Sequence, residues 1–145
     1  EGEVIIESVL RQTSPGPYAL QAAIAAVHAQ TVDGGSTDWP QIIKLYDRLL
    51  EQAPSPVVEL NRAVAVAMVN GADAGLALID TIAARGALRG YYPLHAARAD
   101  LLRRSTRYAE AAQAYARAAE LTLNTAERRF LNRRREEMQG YAGQK

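Results

Sequence analysis

The sequence predicts an all-α protein built as an array of repeated helix pairs. Apolar residues recur at intervals of three and four through most of the 145-residue chain, which is the period of one helix face. No segment alternates apolar and polar residues in the manner of a half-buried strand. The helical pattern also returns about every 34 residues, as helical repeat arrays do. These three observations together predict the fold class.

The clearest copy of the repeat lies between residues 95 and 121, where two helices are joined by a tight turn. Alanines and tyrosines form one face of its second helix, namely Tyr108, Ala111, Ala112, Tyr115, Ala118, Ala119 and Thr122. Alanines let a neighbouring helix come close, and the tyrosines fill the gaps between them. This pattern resembles a tetratricopeptide (TPR) repeat. It departs from that repeat at Thr106-Arg107 in the turn, at His95 in place of tryptophan and at Leu123 in place of the closing proline.

Two further copies lie upstream of this one. Asp73 precedes Tyr108 by 35 residues, and Trp39 precedes Asp73 by 34 residues. The positions of Ala111, Tyr115 and Ala118 are taken by Ile42, Tyr46 and Leu49 in the first copy and by Leu76, Asp80 and Ala83 in the middle copy. Because one repeat cannot bury its own apolar face, the three copies predict a TPR-like right-handed array. We expect about three helix pairs, with one further helix at each end.

We predict a single TPR-like domain over residues 1–145, and its prolines, glycines and capping residues predict where the helices begin and end. Pro15-Gly16-Pro17 ends a leading helix, and Ser55-Pro56 starts the second repeat with a cap followed by proline. Asp38 and Asn124 are predicted N-caps, and Asn70-Gly71 is a predicted helix end. The resulting segments are a leading helix over 1–17, repeats over 18–54, 55–90 and 91–123, and a capping helix with a tail over 124–145.

Composition limits the classes of protein that this chain can represent. Apolar residues make up 48% of it and its formal net charge is +1, which indicates neither disorder nor a strongly basic nucleic-acid binder. The absence of cysteine excludes disulfides and thiolate metal sites and is compatible with a reducing, cytoplasmic location. No apolar run approaches the length of a membrane helix. Since the chain begins at Glu1 inside a helical pattern, we expect it to be part of a longer protein.

The sequence offers little to a catalytic interpretation. The two histidines, His28 and His95, are 67 residues apart, and the common zinc-protease, phosphate-loop and nucleophile-elbow motifs are absent. A structural role for His95 is therefore favoured over a catalytic pair with Asp38 or Asp100. We predict no enzymatic activity, no metal and no cofactor.

The last helix carries many arginines, and their role is open to two interpretations. The arginines are Arg128, Arg129, Arg133, Arg134 and Arg135. Three nearby glutamates offset much of their charge, so a solvated capping face is favoured over nucleic-acid contact.

Polar residues on the first helix of each repeat are the candidate site, because these helices line the concave groove of a TPR stack. They are Gln21, His28, Asn61, Arg62, His95, Arg98, Asp100 and Arg103. Arg98 and Asp100 diverge on their helix, so each is expected to need a partner from an adjacent helix or a bound chain. We expect Arg62 to meet Asp100, leaving Asn61 and His95 to bind a partner. In the alternative, the same residues only tie the repeats together.

Four strings in order resemble the C-terminal extension of a group of bacterial extracytoplasmic-function (ECF) sigma factors: GPYALQAAIAAVH, TDWPQIIKLYDRLL, PSPVVELNRAVAVAM and HAARADLLRR. Genes of that group commonly neighbour YCII-related (DGPF) proteins. The resemblance covers most of the chain, but Arg104-Ser105-Thr106-Arg107 stands where a leucine-glycine turn is expected.

The resemblance implies that sigma domains upstream bind RNA polymerase and promoter DNA, and that this region regulates them without binding DNA or a membrane itself. Its implied partners are the sigma domains of the same protein, RNA polymerase, and a regulatory protein or peptide. The alternative function is a free-standing TPR adaptor that binds peptides.

Overall fold

The computed structural model describes residues 16–29 and 37–144 of the chain, with the side chains of residues 28 and 29 left out. Within those residues all regular secondary structure is helical, which confirms the all-α prediction for that part. The predicted leading helix at residues 2–12 lies outside the described residues. The helices are α1 (Pro17–Ala29), α2 (Trp39–Gln52), α3 (Pro56–Asn70), α4 (Ala72–Ala84), α5 (Tyr92–Arg104), α6 (Tyr108–Leu121) and α7 (Thr125–Ala142).

The chain divides into two compact units, Glu1–Val69 and Asn70–Lys145. The first unit holds α1, α2 and nearly all of α3, and the second holds α4 to α7. The division falls inside the predicted second repeat, between its two helices. The single domain and the right-handed array stay predictions.

Three helices begin at capping residues that the sequence predicts. The side-chain oxygen of Asp38 accepts a hydrogen bond from the backbone N–H of Gln41 at 3.2 Å, and that of Asn124 accepts one from Glu127 at 2.9 Å. Ser55 Oγ accepts the N–H of Val58 at 3.4 Å. Each cap satisfies a backbone donor that the helix cannot satisfy itself, and typically contributes about 1 kcal/mol.

The first unit is built around aliphatic side chains of α1 and α2. One apolar face of α1 is buried, and α2 contributes three more residues. The buried cluster comprises Leu20, Ala23, Ile24, Val27, Ile42, Leu45, Leu49 and Ala65. Trp39 and Tyr46 pack against it while remaining partly exposed. Both rings therefore border the core of this unit.

In the second unit each helix packs against the next along the chain, from α4 to α7. The predicted face of α6 is the centre of this unit, since Ala111, Ala112, Tyr115, Ala118, Ala119 and Thr122 are all buried. Tyr115 is only 3% exposed, and Leu131 and Met138 of α7 are buried as well. The alanine face therefore accommodates a helix on each side, as its composition predicts.

The helices α5 and α7 run in the same direction, because short connections join both to α6 and make neighbouring helices antiparallel. Tyr92, at the start of α5, and Glu127, at the start of α7, line the same groove. Burial, and after it the carboxylate of Glu127, raises the pKa of Tyr92. The two residues are 35 positions apart, which is close to one TPR period.

The middle copy departs from its predicted register. Leu76 is buried as expected, but Asp80 and Ala83 are exposed, and Ile79 and Ile82 are buried in their place. The predicted equivalence of Asp80 and Ala83 with core residues is therefore wrong. Burying the carboxylate without a partner would cost several kcal/mol, so α4 instead presents a neighbouring face to the core.

The turn between α5 and α6 has the backbone geometry that glycine usually provides at a helix end, but Thr106 occupies the position of the glycine. The N–H of Arg107 bonds the carbonyl of Leu102 at 2.9 Å, and the N–H of Thr106 bonds that of Arg103 at 3.0 Å. This pair of bonds is the Schellman motif, in which the residue at the position of Thr106 adopts a left-handed conformation. Thr106 has φ 58°, a value that costs a β-branched residue about 1–2 kcal/mol.

No helix among residues 16–29 and 37–144 combines the length and the apolar character needed to cross a bilayer.

Replacing Tyr115 by alanine is expected to lower the free energy of unfolding by about 3–5 kcal/mol, because the ring fills a closed space between helices. Tyr115→Phe, which keeps the ring, should cost only about 1 kcal/mol. Urea denaturation measures both. Leu123→Ala is the control in the same unit, since Leu123 is 97% exposed. A loss for Tyr115→Ala no larger than that of the control would show that the ring is not buried.

Thr106→Gly is expected to raise the free energy of unfolding by about 0.5–1 kcal/mol, because relief of the left-handed strain exceeds the entropy that glycine adds to the unfolded chain. Ala109→Gly, at an exposed position in the first turn of α6, should lower it by up to about 1 kcal/mol. Thermal and urea denaturation compare the two variants. Destabilisation at both positions would contradict a left-handed residue 106.

Candidate partner-binding surface

His95, a predicted groove residue, is engaged by the protein itself. Its Nε2 donates a hydrogen bond to the backbone carbonyl of Arg89 at 2.8 Å. Arg89 lies in the connection between α4 and α5, so this bond ties the connection to α5. Nε2 of His95 is therefore engaged within the protein and does not face a partner.

Arg98 pairs with a residue of the neighbouring helix, as its sequence position predicts. Its Nε lies 2.9 Å from Asp80 Oδ1 on α4, and both side chains are partly exposed. This contact also explains why Asp80 stands at a position where the repeat pattern expects an aromatic residue. In the structure the pair links α4 to α5.

Asp100 finds its partners on its own helix. Arg103 Nη2 lies 2.6 Å from its Oδ1, and Arg104 Nε lies 3.1 Å from its Oδ2. These residues are three and four positions further along α5, the spacing at which helix side chains meet. The expectation that Asp100 needs a partner from another helix or a bound chain is therefore wrong.

Arg103 extends this cluster to α6, where its guanidinium interacts with the Tyr115 hydroxyl. The hydrogen bond to Asp100 raises the pKa of Arg103 against the opposing effect of burial. Burial in turn raises the pKa of Tyr115, and the arginine opposes that shift. Arg103 Nε is buried without a hydrogen-bond partner in the described structure. Asp100 and Arg103 thus serve the packing of α5 on α6.

The predicted site residues of the first unit are more accessible. Gln21 and Asn61 are exposed. Arg62 Nε lies 2.5 Å from Asp47 Oδ1, which links α3 to α2. The side chain of His28 lies outside the described part of the structure. The expected contact between Arg62 and Asp100 joins residues of different units and stays a prediction.

Two aromatic side chains are exposed on α7, a helix for which the sequence predicts only a charged capping face. Phe130 is 44% exposed and Tyr141 is 48% exposed. The guanidinium of Arg134 lies over the Phe130 ring, 5.5 Å from its centroid, and the Tyr141 ring lies 5.1 Å from that of Tyr108. The helical spacing of residues 130, 134, 137 and 141 is the signal that could have identified this face.

Arginines lie along the same side of α7. Arg129 and Arg133 are exposed, and neither forms an ion pair or hydrogen bond with the described residues. Arg134 and Glu137 form a loose pair at 3.4 Å. We call this surface the α7 stripe, and it comprises Arg129, Phe130, Arg133, Arg134, Glu137 and Tyr141.

A groove of about 430 Å³ lies at one end of the second unit. Its lining includes Tyr91, Tyr92, Pro93 and Leu123, with Leu123 almost fully exposed. The residues that the structure describes contain no cluster of three histidine, cysteine or carboxylate side chains that could hold a metal ion.

Comparison with known proteins finds a relative that is longer than this chain. The chain is 42% identical over 131 residues to an uncharacterized protein of Rhizobium meliloti (strain 1021). The match covers 90% of this chain but spans only 30% of the relative. No protein-family model and no solved structure matches the chain.

The pair of Arg98 and Asp80 is expected to couple by about 0.5–1 kcal/mol in a double-mutant cycle of Arg98→Ala and Asp80→Ala, since both groups are partly exposed to water. The coupling should shrink at about 1 M salt because exposed charges are screened. Urea denaturation of the four proteins measures it. A coupling of zero at low salt would show that the pair does not form in solution.

Proposed function

We propose that this chain is the regulatory protein-interaction domain of a bacterial ECF sigma factor and that it controls transcription initiation. It does so through contacts with the sigma domains of the same protein, with RNA polymerase or with a regulatory partner. In this proposal the domain acts in the cytoplasm by binding rather than by catalysis, and promoter DNA is contacted by the sigma domains.

The observation that carries the proposal is the one-repeat offset between α5 and α7. Tyr92 and Glu127 lie near each other at the starts of two helices of the same direction, and α6 packs against both helices. Stacked helix pairs of this kind present extended surfaces, which repeat proteins use to bind other chains. The sequence strings that resemble the sigma-factor extension then select the partner class. The length of the relative is compatible with a domain that accompanies others in one chain.

A domain of this type would act by shifting a population. If the sigma domains alternate between an active and an inactive arrangement, a domain that binds one arrangement better than the other changes the fraction that can initiate transcription. Couplings of this kind are typically worth about 1–3 kcal/mol, which corresponds to roughly 5–150-fold in the equilibrium between the two arrangements.

The alternative is a free-standing TPR adaptor that binds a peptide. The groove beside Leu123 favours it, because an almost fully exposed leucine next to two tyrosines is suited to hold an apolar peptide side chain. The two functions differ in what precedes Glu1 in the gene. Sigma domains there are expected under the first, and a start codon near Glu1 under the second.

Removing this region from the full-length protein is expected to change promoter-specific transcription by at least about fivefold, the lower end of typical couplings between sites. Transcription reconstituted from purified RNA polymerase, the full-length protein or its truncated form, and a promoter template measures the effect. Unchanged transcription with the truncated protein would sink the regulatory proposal.

A point variant repeats this test without truncation. Asn61 is exposed and forms no hydrogen bond with the described residues, so Asn61→Ala should leave the melting temperature nearly unchanged. If Asn61 contacts a partner, transcription by the full-length protein should still fall. A parallel loss of stability and activity would make Asn61 a structural residue.

A further inference from the structure

We propose that the α7 stripe is a docking surface for an acidic, amphipathic helical segment of a partner protein. This inference rests on the proposed function and specifies the chemistry of the partner. It also places the binding surface on α7 and not on α5, because Arg98, Asp100 and Arg103 of α5 form ion pairs within the protein.

The side chains of the stripe are of the types that contribute most to protein interfaces. Phe130 and Tyr141 each leave nearly half of a large ring in water, and Arg134 stacks on the first of them. Aromatic residues and arginine are enriched at interface centres and among the few residues whose truncation weakens binding most. A guanidinium that already rests on a ring needs little further ordering to bind a carboxylate.

The charge of the stripe selects an acidic partner. It contains three arginines and one glutamate, and Arg129 and Arg133 have no partner among the described residues. The pair of Arg134 and Glu137 is loose, at 3.4 Å and partly exposed, so it contributes little and exchanges readily for another carboxylate. Bidentate binding by arginine suits the carboxylates of aspartate and glutamate.

The spacing of the rings sets the length of the occupant. Phe130 and Tyr141 are eleven residues apart, which corresponds to about 16 Å along the helix axis. A partner helix of about three turns spans that distance. It would place an apolar side chain on each ring and carboxylates between them, opposite the arginines.

Nucleic acid is the less suitable occupant. Glu136 and Glu137 lie among the arginines, and the whole chain has a formal net charge of only +1. Binding to a phosphate backbone depends on many uncompensated cations, which this helix lacks.

The test uses a fluorescein-labelled synthetic peptide of about fifteen residues, with two leucines about eleven residues apart and glutamates between them. Fluorescence anisotropy against the 145-residue chain should show binding that weakens with added salt. Arg133→Glu and Phe130→Ala should each weaken binding by at least about tenfold, as loss of an interface anchor does. A peptide with lysines in place of the glutamates should not bind.

The matched control is Arg117→Glu, which makes the same charge reversal at an exposed arginine of α6. It should leave peptide affinity within about twofold of that of the parent chain, because it lies outside the stripe. Circular dichroism on all variants establishes that they are folded. Equal loss for Arg117→Glu and Arg133→Glu would overturn the assignment, since the effect would then be one of total charge.

Two other results would also overturn the inference. One is binding of an oligo(dT) strand as tight as that of the peptide, lost in Arg133→Glu. The other is that the parent chain does not bind the peptide while removal of the region still alters transcription. That result would refute the α7 stripe as a docking surface and would support the proposed function. Peptide binding at the stripe combined with unchanged transcription supports the surface and refutes the sigma-factor role.

Discussion

The second unit depends on the close approach of helices at the alanine face of α6. Small side chains allow α5 and α7 to come near, and Tyr115 fills the space that the alanines leave. The Tyr115 hydroxyl then lies where Arg103 can reach it, so the polar cluster of Asp100 and Arg103 forms at the edge of the same packing. A larger residue on this face would separate the helices and remove both the apolar and the polar contacts.

Features that depend on neighbours in sequence could be predicted well. Local spacing predicts the caps at Asp38, Ser55 and Asn124, and it predicts the apolar face of α6. The register of α4 could not be predicted, because it depends on how Asp80 is solvated and on where Arg98 lies in the tertiary structure. A repeat pattern assigns equivalent positions, but an unpartnered carboxylate does not occupy a buried one.

The candidate site was predicted less completely than the fold. The sequence placed Arg98 and Asp100 on diverging faces of one helix, which is correct, yet it could not choose among several possible partners for each charge. Asp100 has two arginines within reach on its own helix, and local partners cost less chain entropy to bring together than distant ones. The stripe on α7 was missed because counting charges concealed the spacing of Phe130 and Tyr141.

The contact between Tyr108 and Tyr141 has a consequence for the last turns of α7. The end of a helix usually frays, and its last amide hydrogens then exchange with solvent at close to the unprotected rate. Here the two rings join the last turns of α7 to the first turn of α6, and such pairs are worth about 0.5–1.5 kcal/mol beyond their buried area. The end of α7 therefore opens together with the beginning of α6 rather than alone. Amide exchange near residue 141 then reports on the cooperative opening of a helix pair.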